Sequence, residues 1–434
     1  MKGYAVLLFA SLIIRLLVFT LDMPFRSDVW TFQIWAHNLF EYGLSEFYYA
    51  DTFTDYPPMY MYVLWVVGAI RSIFAWEYLS TPFNLLTFAP AITADIITVL
   101  LIYKLCRDSF KNVPAASPWP FGFLPGFMLD KNNDFGLAFW FAFLYSANPS
   151  ILINSSVWGQ VDSIHTLLLF IAINAVVKAQ TLPVFLLYGV AVLTKPQSLI
   201  VAPIFLYAAF HYFKENNYSL KSGLTMLSYG ALTFMFMALI SLPFGRGFDL
   251  SPVIGQYIDT VGSRPFASIN AFNFYALTGG NWQPITPFYT LVSVVAIGGV
   301  TCMTFWILHK HWSGSSAFLS GALLYTVTFV FSVRMNERYL FPAILFMFLA
   351  VILRENKVDK RLSFLYGAFS ATFFINCADI LLQTYGRRLF TLGTPSDVVF
   401  RQIDEAMALI SFMHVALAVY LIKIGWDIRQ WKSF

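Results

Sequence analysis

Apolar runs of membrane-spanning length recur along the whole of this 434-residue chain. A helix needs about 20 consecutive, mostly apolar residues to cross the hydrocarbon core of a bilayer. Only 12% of the residues are charged, whereas soluble domains carry about 25%. The sequence therefore predicts an all-α polytopic bundle in a membrane. No nucleic-acid-binding motif and no basic tail is present, so no nucleic acid is expected as a partner.

The length of the apolar runs predicts about twelve transmembrane helices, with both ends of the chain on the inner side. More than half of the 27 basic residues fall in the segments that this arrangement places inside, as the positive-inside rule requires. The first run is interpreted as a signal anchor that is retained. The predicted spans are residues 4–21, 86–105, 137–153, 163–178, 182–194, 198–213, 223–243, 286–308, 317–333, 338–353, 361–384 and 406–424.

One further apolar segment, Pro57–Phe74, does not fit this count. If it crossed the membrane once, the basic segment around Arg107 and Lys111 would lie outside, against the charge bias. We therefore predict that it lies along the outer surface or re-enters. It belongs to a long segment on the predicted outer side. In this segment Trp30 and Trp35 mark an amphipathic stretch, which is typical of a helix that lies in the membrane interface.

Two acidic residues on the predicted outer side are candidate general bases. Asp28 follows the first span, at the start of the amphipathic stretch. The alternative is that Ser27 or Asp28 is only a helix N-cap. Asp55 opens the stretch "DYPP", whose prolines indicate an extended turn that can start a helix. Asp55 is therefore alternatively a turn or cap residue.

The short outer loop between the third and fourth spans, "NSSVWGQVDSIH", carries a polar cluster. Loops between spans are polar in general, but this loop is very short. Its polar groups must lie at the membrane surface and face the protein interior or a wet cavity. The cluster contains Trp158, Gln160, Asp162, Ser163 and His165.

A lysine interrupts the apolar stretch between Gly189 and Leu206. A lysine at bilayer depth costs about 3 kcal/mol or more. The flanking runs are too short for two full crossings, which draws Lys195 below the outer surface. Snorkelling of the side chain toward water is one explanation. The other is a fixed turn at Pro196 that holds a functional cation beside Gln197.

Two later stretches place polar side chains at the outer ends of spans. "RMNERYLFP" brings Arg334, Glu337 and Arg338 to one outer mouth. Arginine suits phosphate because it forms bidentate hydrogen bonds, and an ion pair of Glu337 with one arginine is the structural alternative. In "INAFNFYALTGG", Asn270 and Asn273 have the chemistry to contact a sugar or to cap a helix.

Together, these stretches place carboxylates and cations on one face of a bundle able to hold a lipid. Sugar transfer from a lipid-phosphate donor needs a carboxylate to deprotonate the acceptor hydroxyl and cations to stabilise the departing phosphate. No metal and no other cofactor is expected, since arginine and lysine supply the positive charge. The widely spaced Cys106, Cys302 and Cys377 indicate neither a disulfide framework nor a metal site.

The same stretches carry a family resemblance. An acidic residue after the first span, "DYPP", "NPSILINSSVWGQVDS", "LTKPQ", "FNFYALTGG" and "RMNERYLFP" occur in family order across about residues 22–345. In these motifs the chain resembles the GT-C glycosyltransferases, in particular prokaryotic relatives of the mannosyltransferase that adds the second mannose of the GPI anchor. A weaker likeness is to the ER glucosyltransferases that use dolichyl-phosphate glucose. Many GT-C enzymes show paired acids in the first outer loop, whereas here Ser27 precedes Asp28.

The resemblance implies one membrane glycosyltransferase domain over residues 1–434, with a GT-C-like module over about 1–345 and further spans over about 346–434. It implies inverting transfer of a hexose, with mannose favoured, from a polyprenyl-phosphate-linked donor to a glycan, lipid or protein acceptor at the outer face. The expected location is the cell membrane of a prokaryote. The predicted site comprises Asp28 or Asp55 as base; Lys195, Gln197, Arg334, Glu337, Arg338, Gln160 and Asp162 at the donor; and Trp158, His165, Asn270 and Asn273 at the acceptor or sugar.

The main rival is a transporter or lipid flippase, since membrane-embedded charges and short broken spans also mark transporters. No convincing internal repeat is present, and the longest loops fall on the outer side, which favours a one-sided site. A structural subunit is a third interpretation. Sugar transfer by purified protein in liposomes that contain only a lipid-linked donor distinguishes the enzyme from both.

The predicted topology is testable by cysteine labelling in a variant that lacks the natural cysteines. The termini and residues 104–135 and 354–361 are expected inside, and residues 22–81 and 244–284 outside, because of the distribution of basic residues. Asn133→Cys and Ser251→Cys should therefore react with an impermeant maleimide from opposite sides. Labelling of both from the same side would contradict this topology.

Overall fold

The computed structural model describes residues 2–50, 53–110, 133–247, 249–262, 264–354, 359–390 and 404–427. Over these residues helices joined by turns and loops make up most of the chain, and the two strands have two residues each, which confirms the all-α prediction. Most of the predicted inner loop 104–135 and most of the outer segment after Gln383 lie outside the described residues.

The α-helices are α1 (Lys2–Phe19), α2 (Arg26–Glu41), α3 (Pro58–Phe74), α4 (Thr81–Phe110), α5 (Leu137–Ser146), α6 (Pro149–Leu152), α7 (Asp162–Lys178), α8 (Leu182–Thr194), α9 (Ala202–Glu215), α10 (Leu220–Ser241), α11 (Ser251–Gly262), α12 (Phe274–Leu277), α13 (Pro287–Lys310), α14 (Gly314–Phe331), α15 (Phe341–Ile352), α16 (Lys360–Phe390) and α17 (Glu405–Trp426). The remaining turns are a π-helical turn at Ile153–Trp158 and 3-10 turns at Leu44–Tyr49, Pro196–Val201 and Leu242–Phe244. The strands are β1 (Ser268–Ile269) and β2 (Met335–Asn336).

Seven of the described helices are long and apolar enough to cross a membrane, namely α1, α4, α10, α13, α14, α16 and α17. An eighth crossing results if Leu137–Ser146 and Pro149–Trp158, which meet at an angle of 44°, form one broken span. The chain is thus a multi-pass membrane protein. The other four predicted spans coincide with the shorter helices α7, α8, α9 and α15, for which crossing stays a prediction. The same holds for the path of α3 relative to the membrane.

The chain forms two compact units. The larger unit comprises Met1–Met23, Ala91–Trp158 and Phe266–Phe434, and the smaller unit comprises Pro24–Pro90 and Gly159–Pro265.

Two helices form the centre of the larger unit. Nearly every residue of α14 and α15 is buried, as expected of helices that are apolar on all sides. Next to them, β1 and β2 pair in parallel, with Ser268 opposite Met335 and Ile269 opposite Asn336. This strand pair fixes the backbone of the "RMNER" stretch.

An arginine–aspartate pair lies inside the larger unit, between α1 and α4. Arg15 and Asp95 are both buried, with Arg15 Nη2 3.4 Å from Asp95 Oδ2. Arg15 Nη1 also donates to the Ser11 carbonyl and to Ser146 Oγ, each at 3.1 Å. The arginine that the sequence places within the first span is therefore neutralised inside the protein, as buried charges generally are.

An aromatic core forms the smaller unit, where α2 packs on α3. Phe32 and Trp35 of α2 contact Tyr56, and Phe32 also contacts Tyr60 of α3. Trp35 is buried, so it is a core residue and not the interfacial anchor that the periodicity suggested. The reason is that the segment between α2 and α3 covers it, because Trp35 contacts the Phe47 and Tyr56 rings and its Nε1 donates to the Phe53 carbonyl at 2.9 Å. Trp30 is 43% exposed on another face.

Candidate active site

Asp28 and Gln160 meet in the smaller unit. Asp28 lies half-buried in the first turn of α2, whose N-cap is Phe25 without a side-chain capping bond. The N-cap interpretation of Ser27 or Asp28 is therefore wrong, since the helix begins at Arg26. Gln160 Nε2 donates a hydrogen bond to Asp28 Oδ2 at 2.5 Å. A carboxylate from the segment after α1 is thus held by an amide from the "WGQVDS" motif.

Backbone constraint places Gln160 at this point. Gly159 has φ of 79°, in the left-handed region that favours glycine. Its Cα faces the Phe88 ring so closely that a Cβ would overlap the ring. Helix α7 then begins at Asp162. The turn that carries Gln160 is therefore fixed on both sides.

Asp162, the first residue of α7, forms a buried ion pair with Lys195. His165 Nε2 lies 3.5 Å from Asp162 Oδ1, and Lys195 Nζ lies 5.8 Å from the centre of the Tyr56 ring. Only 3% of Lys195 is exposed, so the snorkelling explanation of this lysine is wrong. The polar cluster of the short loop points into the protein, as its length predicted.

The chain reverses at Lys195 because α8 ends at Thr194 and a 3-10 turn starts at Pro196. This agrees with the fixed turn predicted for "TKPQ". Gln197 is half-buried in the 3-10 turn.

Ser198, His165 and Asp162 are the side chains of a hydrolytic triad, but here the serine faces Nδ1 and the aspartate faces Nε2, the reverse of the triad. Ser198 Oγ is 3.3 Å from His165 Nδ1, and His165 Nε2 is 3.5 Å from Asp162 Oδ1. However, Ser198 is fully buried and its hydroxyl donates to the Ala191 carbonyl at 2.8 Å. This geometry suits a structural network that joins α7 and α8, not a serine nucleophile.

Two further acids of the segment between α1 and α4 have arginine neighbours. Asp55 Oδ2 lies 3.9 Å from Arg264 Nη2. Glu46 accepts a hydrogen bond of 2.6 Å from Arg246, and this bond lowers the pKa of the Glu46 carboxyl. Pro58 is the first residue of α3, as "DYPP" predicted, and Asp55 does not cap that helix because Pro57 is the N-cap.

In the larger unit, Arg334 combines two local irregularities. Its φ is 66°, an uncommon backbone conformation for a residue with a side chain, and its N–H donates to the carbonyls of Phe266 and Ala267 at 3.2 Å. Its Nε is buried without a hydrogen-bond partner. Among the described residues no carboxylate forms an ion pair with Arg334. Strained backbone of this kind clusters at ligand sites.

Arg338, by contrast, has a carboxylate partner. Arg338 Nη1 is 2.8 Å from Glu337 Oε1, and the guanidinium lies 5.7 Å from the centre of the Trp158 ring. Glu337 is 3% exposed. The structural alternative, in which Glu337 pairs with one arginine, therefore holds for Arg338 and not for Arg334.

Both predicted asparagines support local backbone. Asn273 caps α12, since its Oδ1 accepts from the N–H groups of Tyr275 and Ala276. Asn270 has φ of 57°, and its Oδ1 accepts from Trp282 Nε1 at 2.7 Å. The capping alternative is confirmed for Asn273 only.

Asn376, which none of the sequence motifs contains, binds both sides of this segment. Asn376 Nδ2 donates to the Asn270 carbonyl at 2.9 Å, and its Oδ1 accepts from the Phe272 N–H at 3.0 Å. Asn376 and His414, whose Nδ1 is 2.6 Å from the Phe272 carbonyl, are polar residues within apolar spans. Their isolation within apolar spans was the sequence signal by which they could have been found.

In the described ranges, no group of three His, Cys, Asp or Glu residues is arranged to hold a metal ion.

No protein-family model and no curated protein matches this chain. One similar solved structure is the archaeal oligosaccharyltransferase AglB from Archaeoglobus fulgidus, in complex with an inhibitory peptide and a dolichol-phosphate. The alignment covers 98% of this chain and 56% of that chain, at 14% identity and a TM-score of 0.34. The chain thus spans little more than half of the archaeal protein. A likeness this distant assigns no family, so any role must be argued from the site itself.

The buried ion pair gives a stability prediction. Lys195→Met leaves the Asp162 carboxylate buried without its lysine, and breaking such a pair costs about 3–5 kcal/mol. The variant should therefore unfold at a lower temperature in detergent, with Asp162→Leu/Lys195→Met recovering most of the loss because no buried charge remains. If Lys195→Met matches the wild type, the pair does not hold α7 to α8.

Proposed function

We propose that this protein is an inverting glycosyltransferase. It transfers a hexose, with mannose as the first candidate, from a polyprenyl-phosphate donor to an acceptor hydroxyl at the outer face of a prokaryotic cell membrane. The observation that carries the proposal is the Asp28 carboxylate on the segment that follows the first span, which the buried Gln160 amide holds in place. No metal takes part in the proposed chemistry.

Asp28 is the proposed general base. The acceptor hydroxyl gives its proton to the Asp28 carboxylate while its oxygen attacks the anomeric carbon from the side opposite the phosphate. The bond between that carbon and the phosphate oxygen breaks, and polyprenyl phosphate leaves with the electron pair. One displacement of this kind inverts the anomeric configuration. Asp28 is preferred to Asp55 because the buried Gln160 amide fixes its carboxylate.

Arg334 is the first choice for the cation that binds the donor phosphate. Lys195 and Arg338 each already have a buried carboxylate partner, so a phosphate would have to displace Asp162 or Glu337. Arg334 has no such partner among the described residues. Its guanidinium suits bidentate hydrogen bonding to phosphate. Lys195 and Arg338 are assigned to the donor site in second place.

The remaining predicted residues support these two groups. Asp162 and Glu337 hold the neighbouring cations, and Asn270 and Asn273 hold the backbone next to β1. Contacts of Trp158, His165 and Gln197 with a sugar or acceptor stay part of the proposal. The acceptor is a glycan, a lipid or a protein, and membrane lipids surround the bundle.

Replacement of the proposed base tests the reaction. Asp28→Asn keeps the shape of the side chain but does not accept the proton, and general-base catalysis contributes roughly 10²–10⁴-fold. Turnover should fall by that factor while donor binding survives. The measurement is release of farnesyl phosphate from farnesyl-phosphate mannose or glucose, in liposomes with a mannoside, a phospholipid or a serine peptide as acceptor.

Asp55→Asn is the matched control for this experiment. Near-normal turnover in Asp28→Asn together with loss in Asp55→Asn would move the role to Asp55. Near-normal turnover in both variants would eliminate a carboxylate base. Absence of transfer by the wild type from either donor to any of the acceptors would overturn the proposed function.

Replacement of Arg334 tests the phosphate site separately. Arg334→Met removes a charge-assisted contact worth about 1.5–3 kcal/mol, so the affinity for farnesyl phosphate should fall roughly 10-fold to 100-fold. Arg246→Met is the control, because Arg246 is an exposed arginine paired with Glu46. Equal affinities of the Arg334 variant, the Arg246 variant and the wild type would remove Arg334 from the donor site.

A further inference from the structure

In the part of the chain that the structure describes, the Gln160 side chain makes one hydrogen bond, and that bond goes to Asp28. Gln160 is fully buried, and its Nε2 donates to Asp28 Oδ2 at 2.5 Å. Its Oε1 is also buried and has no hydrogen-bond partner in the described part of the chain. Buried amides normally satisfy both their donor and acceptor groups. This amide is therefore poorly placed to stabilise the fold and well placed to hold one carboxylate.

A second buried glutamine in the same unit shows the contrast. Gln33 on α2 donates from Nε2 to Asn84 Oδ1 at 2.9 Å, and its Oε1 accepts from the Leu79 N–H at 2.8 Å. Both ends of the Gln33 amide are thus used to join α2 to the start of α4. Gln33 is a structural glutamine, and Gln160 is not arranged in this way.

The support around Gln160 is rigid. On one side, Gly159 lies in the left-handed region with its Cα against the Phe88 ring. On the other side, Asp162 starts α7 and is held by Lys195. A donor fixed from both sides restricts the directions that the Asp28 carboxylate can adopt. Such restraint preorganises a catalytic group, since misplacement by about 1 Å can cost 10²-fold in rate.

We propose that Gln160 is a positioning residue, whose amide N–H fixes the orientation in which Asp28 receives the proton of the acceptor hydroxyl. This inference rests on the proposed role of Asp28 as general base. The contact requires a donor at the end of the side chain. A glutamate at the same position has the same shape but presents a carboxylate oxygen to Asp28 instead of an N–H.

The test measures rate, donor KM and stability together, again with farnesyl-phosphate mannose in liposomes. Gln160→Met should lower kcat roughly 10²-fold, with an unchanged KM for the donor and a thermal midpoint no lower than that of the wild type. Gln160→Glu should lose at least as much turnover although it is isosteric. Gln33→Met is the matched control and should lower the thermal midpoint while most of kcat remains.

A double-mutant cycle separates positioning from general damage. If Gln160 acts through Asp28, Gln160→Met should have little further effect in an Asp28→Asn background, because residues that act as one unit are not additive. Two results would overturn the inference if Asp28→Asn itself is impaired. One is that the losses of the two variants are additive, and the other is that Gln160→Met has the kcat of the wild type. Wild-type turnover in Asp28→Asn itself would instead overturn the base assignment.

Discussion

The ion pair of Asp162 with Lys195 is the interaction on which the candidate site of the smaller unit depends. Two charges are removed from water there, at a cost of several kcal/mol per ion. Their mutual attraction offsets this cost only when both stay in place. The pair joins the first residue of α7 to the residue that follows α8. It thereby fixes the turn at residues 159–161 and, through Gln160, the carboxylate of Asp28.

The cations of the motifs differ in what they can bind. A lysine or arginine that already holds a buried carboxylate must give up that partner before it binds a phosphate. Lys195 and Arg338 are in this position, with Asp162 and Glu337 as partners. Arg334 has no carboxylate to release among the described residues. Its strained backbone is stabilised by two hydrogen bonds to the segment before β1. Cations of equal charge in these motifs therefore differ in whether they must release a carboxylate before they bind a phosphate.

Most of the helices could be predicted from the sequence because apolar length is a local property of the chain. The limits of α8 and the helix start at Pro58 agree with the prediction. The partners of charged residues could not be predicted, since Asp162 and Lys195 are 33 positions apart and only tertiary packing brings them together. Periodicity also cannot distinguish a face that meets lipid from one that meets another helix. The predicted interfacial position of Trp35 is wrong for that reason, because the segment between α2 and α3 covers it.

The candidate functional groups in each unit include departures from local rules. Gly159 and Arg334 both lie in the left-handed region. Gln160 Oε1 and Arg334 Nε are buried without hydrogen-bond partners among the described residues. An unsatisfied buried group costs about 1–3 kcal/mol, and a leucine or methionine in its place would avoid that cost. Both groups are present here despite that cost. They fall in the two motifs, "WGQVDS" and "RMNER", to which the carboxylate and phosphate chemistry is assigned. The free-energy cost of the unsatisfied groups is therefore best explained by the requirements of that chemistry.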